Sequence, residues 1–152
     1  MKQAAGRRGI EFIPGDDYVL EHQVGHLLRR AHQRHAVIFQ SLIGDDQITP
    51  LQFAALIKLA DLGEVSQNEL GRQTAMDAAT MQGVIKRLLS RGLIDRRPDP
   101  GDRRRVVLSL TLAGLDRVAV TAPNGHAVTD ATLAPLSEIE RRVFLNLLER
   151  LA

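Results

Sequence analysis

Two short helical segments set three residues apart, followed at once by a change of hydrophobic period, constrain this chain more than anything else in it. Ser66-Gln67-Asn68-Glu69 has the residue types of a capping box, a hydroxyl that can accept from the backbone three residues on and a carboxylate that can reach back. It opens a short helix through Leu70 to about Gln73. After Thr74-Ala75-Met76, Asp77 can cap a longer helix. There Met81, Val84, Ile85, Leu88 and Leu89 recur at three- and four-residue steps, and Gly92 is the stop. Such a pair reads as a helix-turn-helix.

The period then becomes that of strands. Leu93-Ile94-Asp95-Arg96-Arg97 reads as one short strand, Pro98-Asp99-Pro100-Gly101-Asp102 as a turn, and Val106-Val107-Leu108-Ser109-Leu110 as a second strand. The result is a β-hairpin with Arg103-Arg104-Arg105 at its tip, a wing behind the helix pair.

Helices flank this unit. Leu20, Val24, Leu27, Leu28, Ala31, Ile38 and Leu42 predict one long helix from Asp16 or Asp17 to Gly44-Asp45-Asp46. Thr49-Pro50-Leu51-Gln52 supplies a cap, a first-turn proline and the box glutamine for the next, which stops at Gly63. After Thr111 the helical period returns, and Pro123-Asn124-Gly125 predicts a kink or break in it. Ser137-Glu138-Ile139-Glu140 is a third capping box. The helix it heads carries Ile139, Val143, Phe144, Leu147, Leu148 and Leu151, a stripe wider than one contact face needs. The boundaries that follow are an arm at 1–16, a first helix at 17–44, a winged helix-turn-helix region at 45–111 and C-terminal helices at 112–152.

Composition excludes several classes. Without a cysteine there is no disulfide, thiol sensor or thiolate metal site. Aromatics at 3% give no stacking platform for single-stranded nucleic acid. No apolar run reaches the length of a membrane span, and Met1 to Gly15 holds no apolar signal core, so a cytoplasmic protein is expected. No nucleophile with its base and no converging metal ligands stand out, so no enzyme, cofactor or metal is expected. The net charge is only +2, but it is unevenly placed: from Lys86 to Arg105 eight basic residues face three acidic ones, a local +5 that leaves −3 for the rest. Such concentration is the footprint of a nucleic-acid surface, or else of a solvated arginine-rich face.

A helix fits the major groove of duplex DNA, and in a helix-turn-helix the second one enters it. Its positions outside the core include Ala78, Ala79, Thr80, Gln82, Gly83, Lys86 and Arg87. Gln82 can bond adenine in bidentate fashion, Thr80 and the alanines can meet a thymine methyl, and Lys86 and Arg87 suit phosphates. Gly83 either permits a close approach to DNA or is a tolerated weak spot. In the wing, Arg103 is assigned to a structural ion pair with Asp99 or Asp102, which leaves Arg104 and Arg105 to face DNA.

From Tyr18 to Leu151 the sequence resembles the MarR family of bacterial transcription regulators. The most specific stretch is Arg87-Leu88, Arg91-Gly92-Leu93-Ile94, Arg96-Arg97-Pro98-Asp99-Pro100-Gly101-Asp102-Arg103-Arg104-Arg105, Leu108-Ser109-Leu110-Thr111 and Gly114. The resemblance implies a mainly α fold with a small β-hairpin wing, a winged helix-turn-helix domain plus a helical dimerisation region. It further implies a homodimer built from the first helix and the last two helices, a palindromic operator, and a small aromatic or anionic effector that lowers operator affinity. Excess apolar surface at Leu136, Ile139, Val143 and Leu147 agrees with a dimer.

His22, His26, His32 and His35 are placed on the first helix, with His22 and His26 four apart and sharing a face. That spacing suits metal ligation, but no further ligand pattern completes a site. With Arg29 or Arg30, His22 and His26 could instead hold an effector carboxylate, and Gln23-Val24-Gly25-His26-Leu27-Leu28-Arg29 resembles relatives that control aromatic-acid catabolism. They could equally be interface or solvated residues. His35, on the apolar stripe, is expected to be a bonded core or interface histidine. Two other functions stay open: a winged-helix module that binds protein without DNA, and a metal-responsive regulator using these histidines.

Overall fold

In the computed structural model, which describes residues 19–152, the chain divides into two compact units, Met1–Arg34 and His35–Ala152. Of the first, a 3-10 turn at Leu20–His22 is followed by α1, Val24–Leu42, which continues into the second. Leu20, Val24 and Leu28 are exposed. The predicted helix start at Asp16 or Asp17, and the arm before it, lie outside the described residues.

In the second unit Thr49 caps α2 (Pro50–Leu62). Its hydroxyl accepts from Gln52 N at 3.3 Å while Gln52 Oε1 accepts from Thr49 N at 3.4 Å, so the buried glutamine is satisfied by the box it closes. Next come β1 (Val65–Ser66), α3 (Gln67–Gln73) and α4 (Ala78–Ser90), then β2 (Ile94–Pro98), β3 (Val106–Leu110), α5 (Leu112–Leu133) and α6 (Glu138–Leu151). Among the described residues no helix is long and apolar enough to cross a membrane.

The sheet has the order β1-β3-β2, antiparallel throughout, with Val65 opposite Leu108, Ser66 opposite Val107, and Ile94 to Pro98 opposite Leu110 to Val106. β1 was not predicted. Ser66 belongs to it and also caps α3, its hydroxyl accepting from Glu69 N at 3.3 Å. The reciprocal half of the expected box is absent, because the Glu69 carboxylate turns outward to Arg72 and to Gln73 Nε2 at 2.8 Å. Between α3 and α4, Thr74 Oγ1 donates to Leu70 O at 2.7 Å and Met76 N to Gly71 O at 2.9 Å, with Ala75 in the left-handed region at φ 52°. One core joins α1's end to α2, α4 and the sheet: Phe39, Ile43, Ile48, Leu56, Leu59, Leu70, Met81, Leu88, Ile94 and Leu108 are among its buried members.

Pro123-Asn124-Gly125 does not break α5, contrary to the expectation; the helix runs from Leu112 to Leu133 without interruption. Tertiary contacts override the local rule. Asn124 Nδ2 donates to Ile43 O at 3.1 Å and the Phe53 ring lies against Gly125, so both residues after the proline are held from outside the helix. α5 begins on the turn after α4: Thr111 Oγ1 donates to Gly92 O at 2.6 Å, Thr111 N to Leu93 O at 3.1 Å, and Gly114 lies against Leu93 O.

The side chain of Asp45, between α1 and α2, is 6% exposed and bonds Arg91 Nη2 at 3.0 Å and Arg117 Nη1 at 3.1 Å. Burial pushes its carboxyl up, but the Gln47 N–H and the two guanidinia outweigh that and hold it below the usual 3.8. A depressed carboxylate stabilises the fold above its unfolded pKa, and that stability is lost as pH falls through the folded pKa. Asp45→Asn is therefore expected to be about 3 kcal/mol less stable than the native protein at pH 7. Urea unfolding should show the gap narrowing below about pH 4. A gap independent of pH would remove the charge from the explanation.

Candidate nucleic-acid interface

α4 presents two faces. Met81, Val84, Ile85 and Leu88 are buried at helical spacing, while Ala78, Ala79, Gln82, Lys86 and Arg87 are exposed. Asp77 caps it, accepting from Thr80 N at 2.8 Å and Thr80 Oγ1 at 2.8 Å, and these two donors hold the Asp77 carboxyl below its ordinary value. Thr80 is half-buried, with its hydroxyl committed to the cap. Gly83 is half-buried, and a Cβ built on it meets nothing within 4 Å. Gly83→Ala is expected to raise stability by about 1 kcal/mol in urea unfolding. If the glycine exists for close approach, the same variant weakens duplex binding; unchanged binding would make it a tolerated weak spot.

The wing turn is built by its aspartates. Asp99 Oδ1 accepts from Gly101 N at 2.8 Å and Asp102 Oδ1 from Arg104 N at 3.0 Å, while Asp99 N donates to Arg105 O at 2.9 Å. The ion pair expected for Arg103 belongs instead to Arg105, whose Nε lies 3.6 Å from Asp102 Oδ2. The turn hydrogen bond from Arg105 N to Asp102 O brings those two residues face to face, three apart, which adjacent Arg103 cannot match. Arg103, Arg104 and Arg105 are all exposed.

Charge counted along the chain overstated the patch. Arg91 is bound to Asp45, and Arg97 to Glu64, with Arg97 Nε donating to Glu64 Oε1 at 3.0 Å. Among the described residues Lys86, Arg87, Arg96, Arg103 and Arg104 have no ion-pair partner. The fold also brings Gln67, Asn68 and Arg72, which sequence reasoning missed, beside residues it had singled out. Ser66, Gln67, Asn68 and Arg72 of the first helix-turn-helix element line one cleft of about 510 Å³ with Arg104, Arg105 and Val106 of the wing. The capped start of α3 was visible in the sequence, but its place beside the wing depends on β1.

The first-helix candidates are arranged differently from expectation. His22 ends the 3-10 turn, Gln23 is extended at ψ 136°, and His26 lies in α1, so the two histidines do not share one α-helical face. Their four-residue spacing therefore loses its metal-ligand meaning, and among the described residues no three metal-ligating side chains come together. Arg29 Nη2 lies 3.4 Å from His26 Nδ1, and Arg30 is exposed. His35 Nδ1 is 3.0 Å from Thr132 Oγ1, with its ring 6.3 Å from that of Phe39.

Comparison with known proteins agrees with this geometry. The sequence profile of the MarR family matches residues 48–106, from the start of α2 to the start of β3. The HTH-type transcriptional repressor NicR of Pseudomonas putida is 42% identical over 134 residues, 88% of this chain and 85% of the relative. A probable transcriptional regulator from Pseudomonas aeruginosa superposes with a TM-score of 0.85 at 45% identity, over 88% of this chain and all of the other. Bordetella bronchiseptica BpsR, whose DNA binding is regulated by 6-hydroxynicotinic acid, superposes with a TM-score of 0.84 at 41% identity, over 90% of this chain and 97% of its own. A two-faced capped helix, a wing at its side and relatives of this similarity over nearly the whole length lead to one assignment: the chain belongs to the MarR family of transcription regulators.

Proposed function

We propose that this protein is a homodimeric repressor that binds a palindromic operator through α4 and the wing and is released by a small aromatic acid. Two observations carry the reading: α4 keeps a polar face exposed, and Gln67, Asn68 and Arg72 of α3 form one cleft with the wing cations Arg104 and Arg105. Gln82, with Thr80, Ala78 and Ala79, takes the base edges; Gly83 lets the helix approach; Lys86, Arg87, Arg104 and Arg105 take phosphates or the minor groove. Residues 45–111 act as the DNA-binding part. The dimerisation parts are 17–44 and 112–152, supported by an α6 that has no buried residue. Two-fold symmetry then sets half-sites about one helical turn apart.

For the effector, BpsR offers the chemistry. A hydroxylated pyridine or benzene carboxylic acid suits a site centred on His26 and Arg29, whose Nη2 lies 3.4 Å from His26 Nδ1, with Arg30 on the same helix and His22 contributing from the preceding 3-10 turn.

Fluorescence anisotropy on a duplex selected by the protein from a random pool tests both parts. Tight, salt-sensitive binding is expected, with the Arg104→Ala, Arg105→Ala double variant weaker by about tenfold or more and with a shallower salt slope. Unchanged affinity in that variant would remove the wing from the interface. Addition of 6-hydroxynicotinic acid and related hydroxylated aromatic acids is expected to release the duplex; release by none of them would discard the effector class and leave DNA binding standing.

A further inference from the structure

α4 packs on α2, α3 and β2, and α5 on α2 and β3. Where α4 ends, one carboxylate ties it directly to α5. Asp45 Oδ2 receives Arg91 Nη2 at 3.0 Å and Arg117 Nη1 at 3.1 Å, and Asp45 Oδ1 receives Gln47 N at 2.8 Å. Arg91 is the residue that terminates α4, and it also donates Nη1 to Gln47 O at 3.2 Å. Arg117 lies in the second turn of α5, and its Nε is buried without a hydrogen-bond partner.

A buried carboxylate loaded with two guanidinia, one left incompletely satisfied, is a poor device for stability alone, since apolar packing serves there as well or better. Directional guanidinium–carboxylate bonds do something apolar contacts do not: they fix an angle. We propose that the Arg91–Asp45–Arg117 cluster sets the tilt of α4 against α5, which makes Asp45 and Arg117 positioning residues for operator recognition. This rests on reading α4 as the recognition helix and α5 as part of the dimer scaffold. α4 has 13 residues, so its DNA-facing start lies about 20 Å from the cluster. A tilt of about 5° at the cluster carries that start nearly 2 Å, enough to misplace base contacts. In a dimer the same angle, applied twice, fixes the separation of the two recognition helices and hence the half-site spacing.

The test uses the full-length protein and the duplex it selects from a random-sequence pool, rebuilt with the half-sites one base pair closer or farther. The native protein is expected to bind either rebuilt duplex about tenfold or more weakly than the original. Asp45→Asn is expected to bind the original duplex about tenfold weaker and to lose most of its preference among the three spacings. Arg117→Met leaves Arg91 to neutralise Asp45 and alters a side chain that is 37% exposed, so it keeps the fold and decides the matter should Asp45→Asn unfold. It is expected to show the same levelling with a smaller loss of affinity, and Arg117→Lys to recover part of the preference. The salt slope stays as in the native protein, because the phosphate-facing cations are untouched. A folded Arg117→Met with the native spacing preference overturns the proposal, whatever its melting temperature. Failure of the native protein to select any duplex would overturn the recognition-helix reading, and the proposal with it, whereas a selected duplex with unaltered spacing preference overturns the proposal alone.

Discussion

Replacing Gly114 with alanine is expected to destabilise the protein by about 3 kcal/mol, at the upper end of what an added methyl does in a packed site, and to abolish tight DNA binding. A Cβ at Gly114 would lie 2.0 Å from Leu93 O and 3.0 Å from Leu93 C, both backbone atoms of the turn between α4 and β2. No rotamer change relieves such a contact; α5 or the turn has to move by more than an ångström. Either movement strains the bonds from Thr111 to Gly92 O and Leu93 O, and with them the joint between α4, the sheet and α5. Gly83 provides the contrast, a helix glycine with open space around it, where the same substitution stabilises. Urea unfolding of the two variants side by side reads the difference directly, and a Gly114→Ala midpoint equal to that of the native protein would show that the joint yields freely.

The second large effect lies in α6. All of Ile139, Val143, Phe144, Leu145, Leu147, Leu148 and Leu151 are exposed, up to 75% at Leu151. An amphipathic helix with its apolar face in water lacks the burial that makes helices persist. A second copy of the chain supplies that burial under the proposed function. Val143→Asp with Leu147→Asp removes no contact inside the chain's own core and is expected to convert dimer to monomer in sedimentation experiments. Loss of the second half-site contact should then weaken operator binding by about 100-fold or more. A double variant that still sediments as a dimer would move the interface away from this face of α6.

Periodicity and turn chemistry made α2, α4, the hairpin and the caps at Thr49, Ser66, Asp77 and Ser137 legible, because each is decided within a few residues. What escaped was decided at a distance. β1 is two residues long, too short to carry an alternation, and exists through its pairing with Val107 and Leu108 some forty residues later. Pro123 is tolerated because Ile43 and Phe53 hold its neighbours. Arg91 and Arg97 looked like members of a basic patch until the fold brought Asp45 and Glu64 to them. The wing ion pair fell to Arg105 and not Arg103 because backbone hydrogen bonds, invisible in residue types, choose which side chain meets Asp102.

Ser66 has a mechanical consequence. It is paired with Val107 of the wing strand and, through its hydroxyl, caps α3. The Glu64–Arg97 pair beside it joins the outer strand of the wing to the same point, across β3. Wing and α3 therefore share a pivot, and the wing works as a handle on that helix. A force that swings the arginine tip is carried through β3 to the start of α3, so that under the proposed function wing and α3 shift together on the DNA backbone.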